Sequence, residues 1–431
     1  MVESPLQFLP LRERHIVVGV SSSIAAYKAC ELVRQLLKRG AETRVVMTRN
    51  ATELVGPKTF EALSGYPVGV DTFDTNRWQD DHIGLADWAD CFVVAPATAN
   101  VIGKLAAGLA DDLLTTASLA MTCPRAIAPA MNERMYLNPQ VQENLRHLSQ
   151  RGWTIIEPGA GLLACGSSGP GRLAEPEDIA DIVQALAFDQ RDFSGARIIV
   201  TAGPTYEALD PVRFIGNRSS GKMGYALARA ARDRGALVTL ISGPVALTPP
   251  AGARFIAAGT AREMLAASLK EANEADAFIA CAAVGDFRAA YPSDTKLKRE
   301  QGELAIVVQP NPDIVAQVAR AFPELVKVGF AAESDDLLAN AQAKLASKQL
   351  DLIVANDISA SDSGFEVDTN RALLIVPGHE PTETELLPKE ALAHLVLDRV
   401  VELLVRKGRI KRWALTSGEA ETNSGQTESE G

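Results

Sequence analysis

No run of about eighteen apolar residues occurs in the 431-residue chain, so a membrane-spanning helix is not expected. Aromatics are scarce, at 5%. That disfavours an aromatic-rich β-sandwich and favours small-residue packing of helices on sheets. There are five histidines and no HExxH, so no structural metal site is expected. The five cysteines (Cys30, Cys91, Cys123, Cys165, Cys281) form no CxxC pair. Such usage fits a reducing cytoplasm rather than a disulfide framework. Positive charge is in deficit, 43 Lys and Arg against 54 Asp and Glu, for a net charge of −11. Attraction to nucleic acid or an anionic membrane is therefore not expected. A local cluster of Lys and Arg still attracts a small anion, because salt screens the distant mean field. The opening residues MVESPLQFLPLRERH lack a charged region leading into an apolar core, so no signal peptide is expected.

What is present is globular: 47% hydrophobic and 23% charged residues. Both halves alternate apolar runs with helical patterns. In the first half, His15–Val20, Arg44–Thr48, Cys91–Ala95, Ala126–Ala130 and Thr154–Glu157 read as strands. A helix is expected from about Ser23 to Arg39, ended by Gly40. The pattern breaks at FDQRDFSG, Phe188–Gly195, and restarts at Arg197 with RIIVTAG. Leu237–Ser242, Ala277–Ala282, Val326–Gly329, Leu352–Ala355 and Leu373–Val376 follow as strands, and Pro388–Lys407 as a closing helix. The near-continuous apolar strands suit parallel sheets covered on both faces. The expected architecture is α/β: two doubly wound Rossmann-like domains in tandem, residues 1–190 and 191–412. Residues 413–431, rich in Ser, Thr, Glu and Gly, are expected to be a disordered acidic tail. On such sheets ligands sit beyond the carboxyl ends of the strands, so segments that follow strands carry the functional signal.

After the first strand comes a Ser-rich turn, Ser21-Ser22-Ser23, opening a helix. It fits either a phosphate held by helix amides and hydroxyls or ordinary N-capping. Pro96-Ala97-Thr98-Ala99-Asn100 and Pro129-Ala130-Met131-Asn132 follow later strands, and GLADDLL lies between them. His82 stands beside Asp80 and Asp81, either as a solvated loop residue or as a proton acceptor whose pKa the carboxylates raise. Cys165 lies in ACGSSGPGR, a Gly- and Pro-rich stretch. A cysteine on a flap, rather than in a strand or helix, is a candidate for chemistry.

HIVVGVSSSIAAYK, ALSGYPV, HIGLADWAD, APATAN, GLADDLL, PAMN with Met135, and ACGSSGPGR occur in that order over about residues 15–180. Together they closely resemble the flavin-dependent cysteine decarboxylase family, which is flavodoxin-like. The resemblance implies FMN near Ser22, Ser23, Thr48, Thr98 and Asn100. It implies His82 as base, Asn132 orienting a substrate carboxylate, Cys165 supporting a final reduction, and a trimeric arrangement. Tyr136 replaces the tryptophan that ends the family motif but keeps an amphipathic ring. The implied chemistry is oxidation of a cysteine thiol to a thioaldehyde, which lets the carboxylate leave as carbon dioxide.

In the second half, Gly216–Met223 matches GxxxxGK, but Met223 stands where a hydroxyl should meet Mg²⁺. Asp210–Phe214 before it does not read as a buried strand, so a true P-loop is not expected. The wider string from Gly203 to Gly224 resembles the phosphopantothenate–cysteine ligase family. So do AVGDF, KLKR, NPDI, GFAAE and AND downstream, over about residues 195–400. That resemblance implies CTP contacts at Asp286, Lys296, Asn311, Asp313, Ile314, Phe330, Lys344 and Lys348, and support of an intermediate by Asn217. Lys296, Lys298 and Arg299 read as a solvated turn or as a cationic flap over a triphosphate. Most relatives carry KxKK there; Arg299 keeps the charge with another geometry. Lys344 and Lys348, spaced i,i+4, share a helix face.

The two resemblances describe consecutive reactions. The ligase would join 4′-phosphopantothenate to L-cysteine with CTP and Mg²⁺, and the decarboxylase would convert the product to 4′-phosphopantetheine. A cytoplasmic homo-oligomer is implied, with trimeric decarboxylase and dimeric ligase contacts that can combine as a dodecamer. Two rivals stand beside this reading. One is a flavin-binding regulatory protein without catalysis, disfavoured by intact His82, Asn132 and Cys165. The other is a nicotinamide-dependent oxidoreductase, disfavoured because no GxGxxG follows either leading strand.

Overall fold

The computed structural model describes residues 8–73, 81–162, 168–298, 305–333, 337–357 and 367–410. Asp80, Cys165, Arg299 and the 413–431 tail lie outside the described residues. The chain divides into two compact units, one from Leu9 to Phe188 and one from Asp189 on, with Phe8 belonging to the latter. No helix among the described residues is long and apolar enough to cross a membrane.

The first unit runs β1 (His15–Val20), α1 (Ala26–Lys38), β2 (Glu42–Met47), α2 (Pro57–Ser64), α3 (His82–Trp88), β3 (Cys91–Ala97), α4 (Ala99–Ala107) and α5 (Leu113–Ala120). It continues with β4 (Arg125–Pro129), α6 (Glu133–Tyr136), α7 (Pro139–Gln150), β5 (Trp153–Ile155), β6 (Gly159–Leu162), β7 (Ser168–Arg172) and α8 (Pro176–Ala187). Five parallel strands stand in the order β2-β1-β3-β4-β5. Alternate residues of β1 enter opposite cores: Ile16 and Val18 pack with α1 and α8, and Val17 packs with α4, α5 and α7. Burial on both faces is why these strands are apolar throughout. The order reverses between β1 and β3, which places the ligand crevice at their carboxyl ends.

Two local expectations need correcting. The first helix begins at Ala26 rather than Ser23, because Ser23 Oγ accepts from Ala25 N at 3.3 Å and holds a turn ahead of it. The last strand ends at Ile155 rather than Glu157, and an antiparallel hairpin, β6–β7, follows. Its sequences, GAGL and SGPGR, carry the glycines and proline that mark loops and hide strands.

The second unit runs β8 (Arg197–Ala202), β9 (Glu207–Ala208), β10 (Phe214–Ile215), α9 (Lys222–Asp233), β11 (Leu237–Ser242), β12 (Arg254–Ala257), α10 (Ala261–Ala272), β13 (Ala277–Ala280), β14 (Phe287–Ala289) and β15 (Val308–Pro310). Then come α11 (Ile314–Ala321), β16 (Val326–Glu333), α12 (Leu337–Ser347), β17 (Leu352–Asp357), β18 (Thr369–Asn370), β19 (Ala372–Ile375), β20 (Thr382–Glu383), β21 (Leu387–Pro388) and α13 (Lys389–Arg406). The main sheet has the order β12-β11-β8-β13-β16-β17-β19-β20. Its first six strands are parallel and wind both ways from β8. The strand foreseen at Leu373–Val376 is β19, but it runs antiparallel to β17. One face packs α9 and α13; α10, α11 and α12 contribute to the cores on the other. Gly224 lets α9 approach β8, since a Cβ there would lie 2.5 Å from Ala202 Cβ.

The charged break at Phe188–Gly195 is only partly a linker. Asp192 and Phe193 are buried in the second unit, and Arg234 Nη2 lies 2.6 Å from Asp192 Oδ2.

Candidate active sites

In the first unit, β1, β3 and β4 deliver their following loops to one sheet edge. Ser21 is the hinge of this arrangement. Its Oγ donates to Pro96 O at 2.8 Å and accepts from Thr98 N at 2.9 Å, tying the loop after β1 to the loop after β3. Sequence reasoning singled out its neighbours and passed over Ser21, whose only signal was the Ser-rich turn. Ser22 is exposed and Ser23 buried ahead of α1, which has no side-chain cap. The Ala26 and Lys28 N–H groups donate to Ser23 O and Ala25 O, both at 2.9 Å, so the turn is closed by backbone bonds and no side chain covers the helix start. Thr48 follows β2, and its Oγ1 is buried without a hydrogen-bond partner. Thr98 caps α4 through a 3.5 Å contact from Val101 N, and Asn100 is exposed in the first turn. An uncapped helix start, a hydroxyl-lined turn and an orphaned buried hydroxyl are what a flavin phosphate and its polar chain need. These residues fit the group.

His82 opens α3, the helix that leads into β3, and is half-buried. The Asp81 carboxylate caps that helix, accepting from Gly84 N at 2.7 Å. Asn132 caps α6, its Oδ1 accepting from Arg134 N at 2.9 Å. The β6–β7 hairpin is fastened beside it: Met131 N donates to Gly171 O at 2.9 Å. Gly171 has φ +125°, and a Cβ there would stand 2.5 Å from Met131 O. Only glycine permits that approach. Tyr136, where the family motif has tryptophan, is buried with its hydroxyl donating to Glu157 Oε2 at 3.0 Å. Burial, followed by that carboxylate, pushes its pKa up to about 12.

In the second unit a cavity of about 620 Å³ opens at the carboxyl ends of β8, β13, β16 and β17. It gathers Asn217, Asp286, Asn311, Asp313, Ile314, Phe330, Lys344 and Lys348. Asn217 Nδ2 donates to Ala283 O at 2.6 Å, and Asn311 Nδ2 to Gly285 O at 2.7 Å. Asp313 caps α11 by accepting from Ala316 N at 3.0 Å, and Lys348 Nζ lies 3.1 Å from its other oxygen. Lys348 falls just past α12, but its N–H donates to Lys344 O at 3.1 Å, so the turn continues. Lys296 is not among the cavity residues. It is exposed in a separate depression with Val212, Arg213, Leu297 and Lys298.

That depression is firmly based. Asp210 Oδ2 accepts from Arg213 Nη2 at 2.6 Å and from Leu297 N at 3.1 Å. Burial opposes ionisation of this carboxyl, but Arg213 and three backbone N–H groups outweigh it and hold its pKa well below the usual range. The GxxxxGK match has no P-loop context. Met223 packs in the core, and the segment before it forms only the short β9–β10 pair outside the main sheet. Among the described residues no group of three or more His, Cys, Asp or Glu could hold a metal ion. Lys222 and Asn356, which the sequence analysis quoted within motifs without a role, and Asn370 and Lys389, which it missed, line the same cavity.

The Flavoprotein family model matches residues 9–188, and the model of the DNA/pantothenate metabolism flavoprotein C-terminal domain matches residues 193–404. The Coenzyme A biosynthesis bifunctional protein CoaBC of Bacillus subtilis (strain 168) is 45% identical over 92% of this chain and 99% of its own length. The protein of that name from Escherichia coli (strain K12) is 44% identical over 93% of this chain and its whole length. A crystal structure of the C-terminal domain of such a protein covers 50% of this chain and 99% of its own, with 34% identity and a TM-score of 0.44. With near-complete coverage of both lengths, this chain belongs to the family of bifunctional coenzyme A biosynthesis proteins.

Proposed function

We propose that the chain catalyses two consecutive steps of coenzyme A biosynthesis. Its second unit, residues 191–412, joins 4′-phosphopantothenate to L-cysteine with CTP. Its first unit, residues 1–190, decarboxylates the product to 4′-phosphopantetheine. The observation that carries this is the similarity across the whole chain to proteins named for both functions.

In the ligase step a substrate carboxylate oxygen attacks the α-phosphorus of CTP and pyrophosphate leaves. The cysteine amine then attacks the acyl carbon, an amide forms, and CMP departs with the electron pair. Lys344, Lys348 and the open start of α9 offset phosphate charge, while Asp313, Ile314, Phe330, Asn311 and Asp286 surround the nucleotide. Asn217, bonded to the Ala283 carbonyl, is placed to steady the acyl-cytidylate. Lys296 supplies a further cation from the exposed segment beside Arg213. Mg²⁺, an ion that commonly keeps few protein ligands, would arrive with the CTP phosphates and offset their charge.

In the decarboxylase step Ser22, Ser23, Thr48, Thr98 and Asn100 hold FMN. When bound, FMN supplies reversible two-electron oxidation of the substrate thiol. His82 takes up the proton released at the thiol. Asn132 orients the substrate carboxylate, and Cys165 supports the closing reduction as a proton donor. Ile24, Tyr27, Ile83, Met135 and Leu137 are exposed around this edge. Such exposed apolar side chains support self-association through this unit. The assembly proposed is a homo-oligomer, trimeric through this unit and dimeric through the other, contacts that can combine as a dodecamer. The four described cysteines are all free, in keeping with a cytoplasmic enzyme.

End-point mass spectrometry tests the assignment, with purified protein given 4′-phosphopantothenate, cysteine, CTP and Mg²⁺. Wild type should yield 4′-phosphopantetheine. His82→Asn should stop at phosphopantothenoylcysteine, and Asn217→Asp should make little of either. No coupled product from wild type, even with ATP for CTP, would end the ligase reading.

A further inference from the structure

Two loops of the ligase cavity meet edge to edge. One, with Gly285 and Asp286, leads into β14; the other, from Asn311 to Asp313, leads from β15 into α11. β14 and β15 pair antiparallel, with Arg288 opposite Gln309. Asn311 laces the loops together. Its backbone N–H donates to Asp286 O at 2.8 Å, and its Nδ2 donates to Gly285 O at 2.7 Å. Its Oδ1 accepts from Arg288 Nη1 at 3.2 Å, and the same Nη1 donates to Pro310 O.

Among the described residues that line the cavity, Asn311 is present and Arg288 is not. The arginine therefore acts on the cavity through Asn311. A guanidinium only donates, so the amide oxygen of Asn311 has to face it. A carbonyl only accepts, so the amide nitrogen has to face Gly285 O. The two partners select one amide orientation from opposite ends. The amide nitrogen carries a second N–H, which remains for an acceptor in the cavity. A nucleotide triphosphate offers such acceptors in its phosphate oxygens and its base carbonyl. Without Arg288, only Gly285 O opposes an amide turned the other way, with its oxygen toward those acceptors. Arg288 Nε is buried with no hydrogen-bond partner. That state is unfavourable, and packing alone would not select it. It marks a side chain kept for the contacts at its far end.

Resting on the ligase reading, we infer that Arg288 is a positioning residue for CTP: it holds the Asn311 amide so that an N–H, and not the oxygen, is turned to the nucleotide. Through Pro310 O it also fastens the turn that leads to Asp313. Asp313 is committed on both oxygens, Oδ1 to Ala316 N at 3.0 Å and Oδ2 to Lys348 Nζ at 3.1 Å. A turn that shifts carries that contact with it. Arg288 thus steadies the nucleotide wall from outside the cavity and takes no phosphate itself.

The test is titration calorimetry with CTP and Mg²⁺ on the full chain, which needs no turnover, beside steady-state kinetics. Arg288→Met should weaken CTP binding about tenfold, as for loss of one charge-assisted hydrogen bond. The KM for CTP should rise in step, while kcat and the KM values for L-cysteine and 4′-phosphopantothenate stay within about twofold. Arg288→Lys should restore CTP affinity, because one ammonium nitrogen can meet both Asn311 Oδ1 and Pro310 O. Asn311→Asp keeps the Arg288 contact but offers only oxygens, so it should bind CTP more weakly than Asn311→Ala. Adding Arg288→Met to Asn311→Ala should weaken binding by no more than about twofold further. A rise in all three KM values together, additive losses in the double variant, or wild-type CTP affinity in Arg288→Met or Asn311→Asp would overturn the inference and leave the ligase reading standing. If wild type itself binds no CTP, the ligase reading falls first and this inference with it.

Discussion

Lys348 Nζ lies 3.1 Å from Asp313 Oδ2, an ion pair that joins the end of α12 to the start of α11 across the ligase cavity. The two side chains are 34% and 45% exposed. A pair that open contributes at most about 1 kcal/mol to stability. In the proposed ligase step its value lies in position: the cation is held at the cavity wall ahead of the nucleotide. Lys348→Met and Asp313→Asn should each raise the KM for CTP about tenfold. Asparagine keeps the helix cap. Because both act through one bond, the double variant should resemble the worse single variant. A hundredfold, additive loss in CTP kinetics would show that they act separately.

Gly171 and Met131 set the position of the β6–β7 hairpin over Asn132. Gly171→Ala forces a Cβ against Met131 O and requires a positive φ. The strain is about 1–3 kcal/mol, confined to this loop pair. Decarboxylation of supplied phosphopantothenoylcysteine should fall tenfold or more, while acyl-cytidylate formation by the second unit stays at the wild-type level. Equal loss of both activities would mean that the substitution disturbs more than the hairpin.

Thr48 Oγ1 is buried and unpartnered. Thr48→Val removes the hydroxyl at nearly constant shape. The flavin-free protein should be as stable as wild type or slightly more so, since an unmet polar group is gone. Flavin affinity should fall about tenfold, read by the fluorescence of FMN released on dilution. Unchanged affinity would place the hydroxyl outside the flavin cradle.

His394 gives the second unit an acid sensitivity. Burial, with the Arg234 charge adding to it and Asp192 opposing, lowers its pKa from 6.5 to about 4. The unfolded chain takes up this proton below about 6.5, and the folded chain only near 4. The stability contribution is therefore complete above pH 6.5 and is lost as the pH falls toward 4. Between pH 7.5 and 4.5 the loss is about 2–3 kcal/mol. His394→Phe, whose ring can keep the contact with Phe8, should lose that much less than wild type over the same interval in urea unfolding. Equal losses in both proteins would assign the acid sensitivity to other groups.

Most of the architecture was legible because strands buried on both faces must be apolar throughout. HIVVGV, CFVVAPA and RIIVTA could hardly be anything else, and the segments after them carried the site residues. The β6–β7 hairpin was not legible. Its glycines and proline read as loop, and its pairing depends on backbone contact with the Met131 segment rather than on its own side chains. The antiparallel direction of β19 was hidden for a related reason, since an apolar run reads the same in either direction.

The sequence by itself determined the two-unit α/β plan, the ordered motifs of both halves and the unlikeness of Met223 to a Mg²⁺ ligand. Those properties reside in local pattern and side-chain identity. Tertiary structure decided which distant residues meet. It put Ser21 between two loops, buried Asp192 against Arg234, left Lys296 outside the cavity, and brought Asn356 and Lys389 into its wall. Each of these depends on which face of a strand or helix a residue occupies after winding, and on contacts between segments far apart in the chain. Neither spacing nor residue type encodes that without the packed sheet.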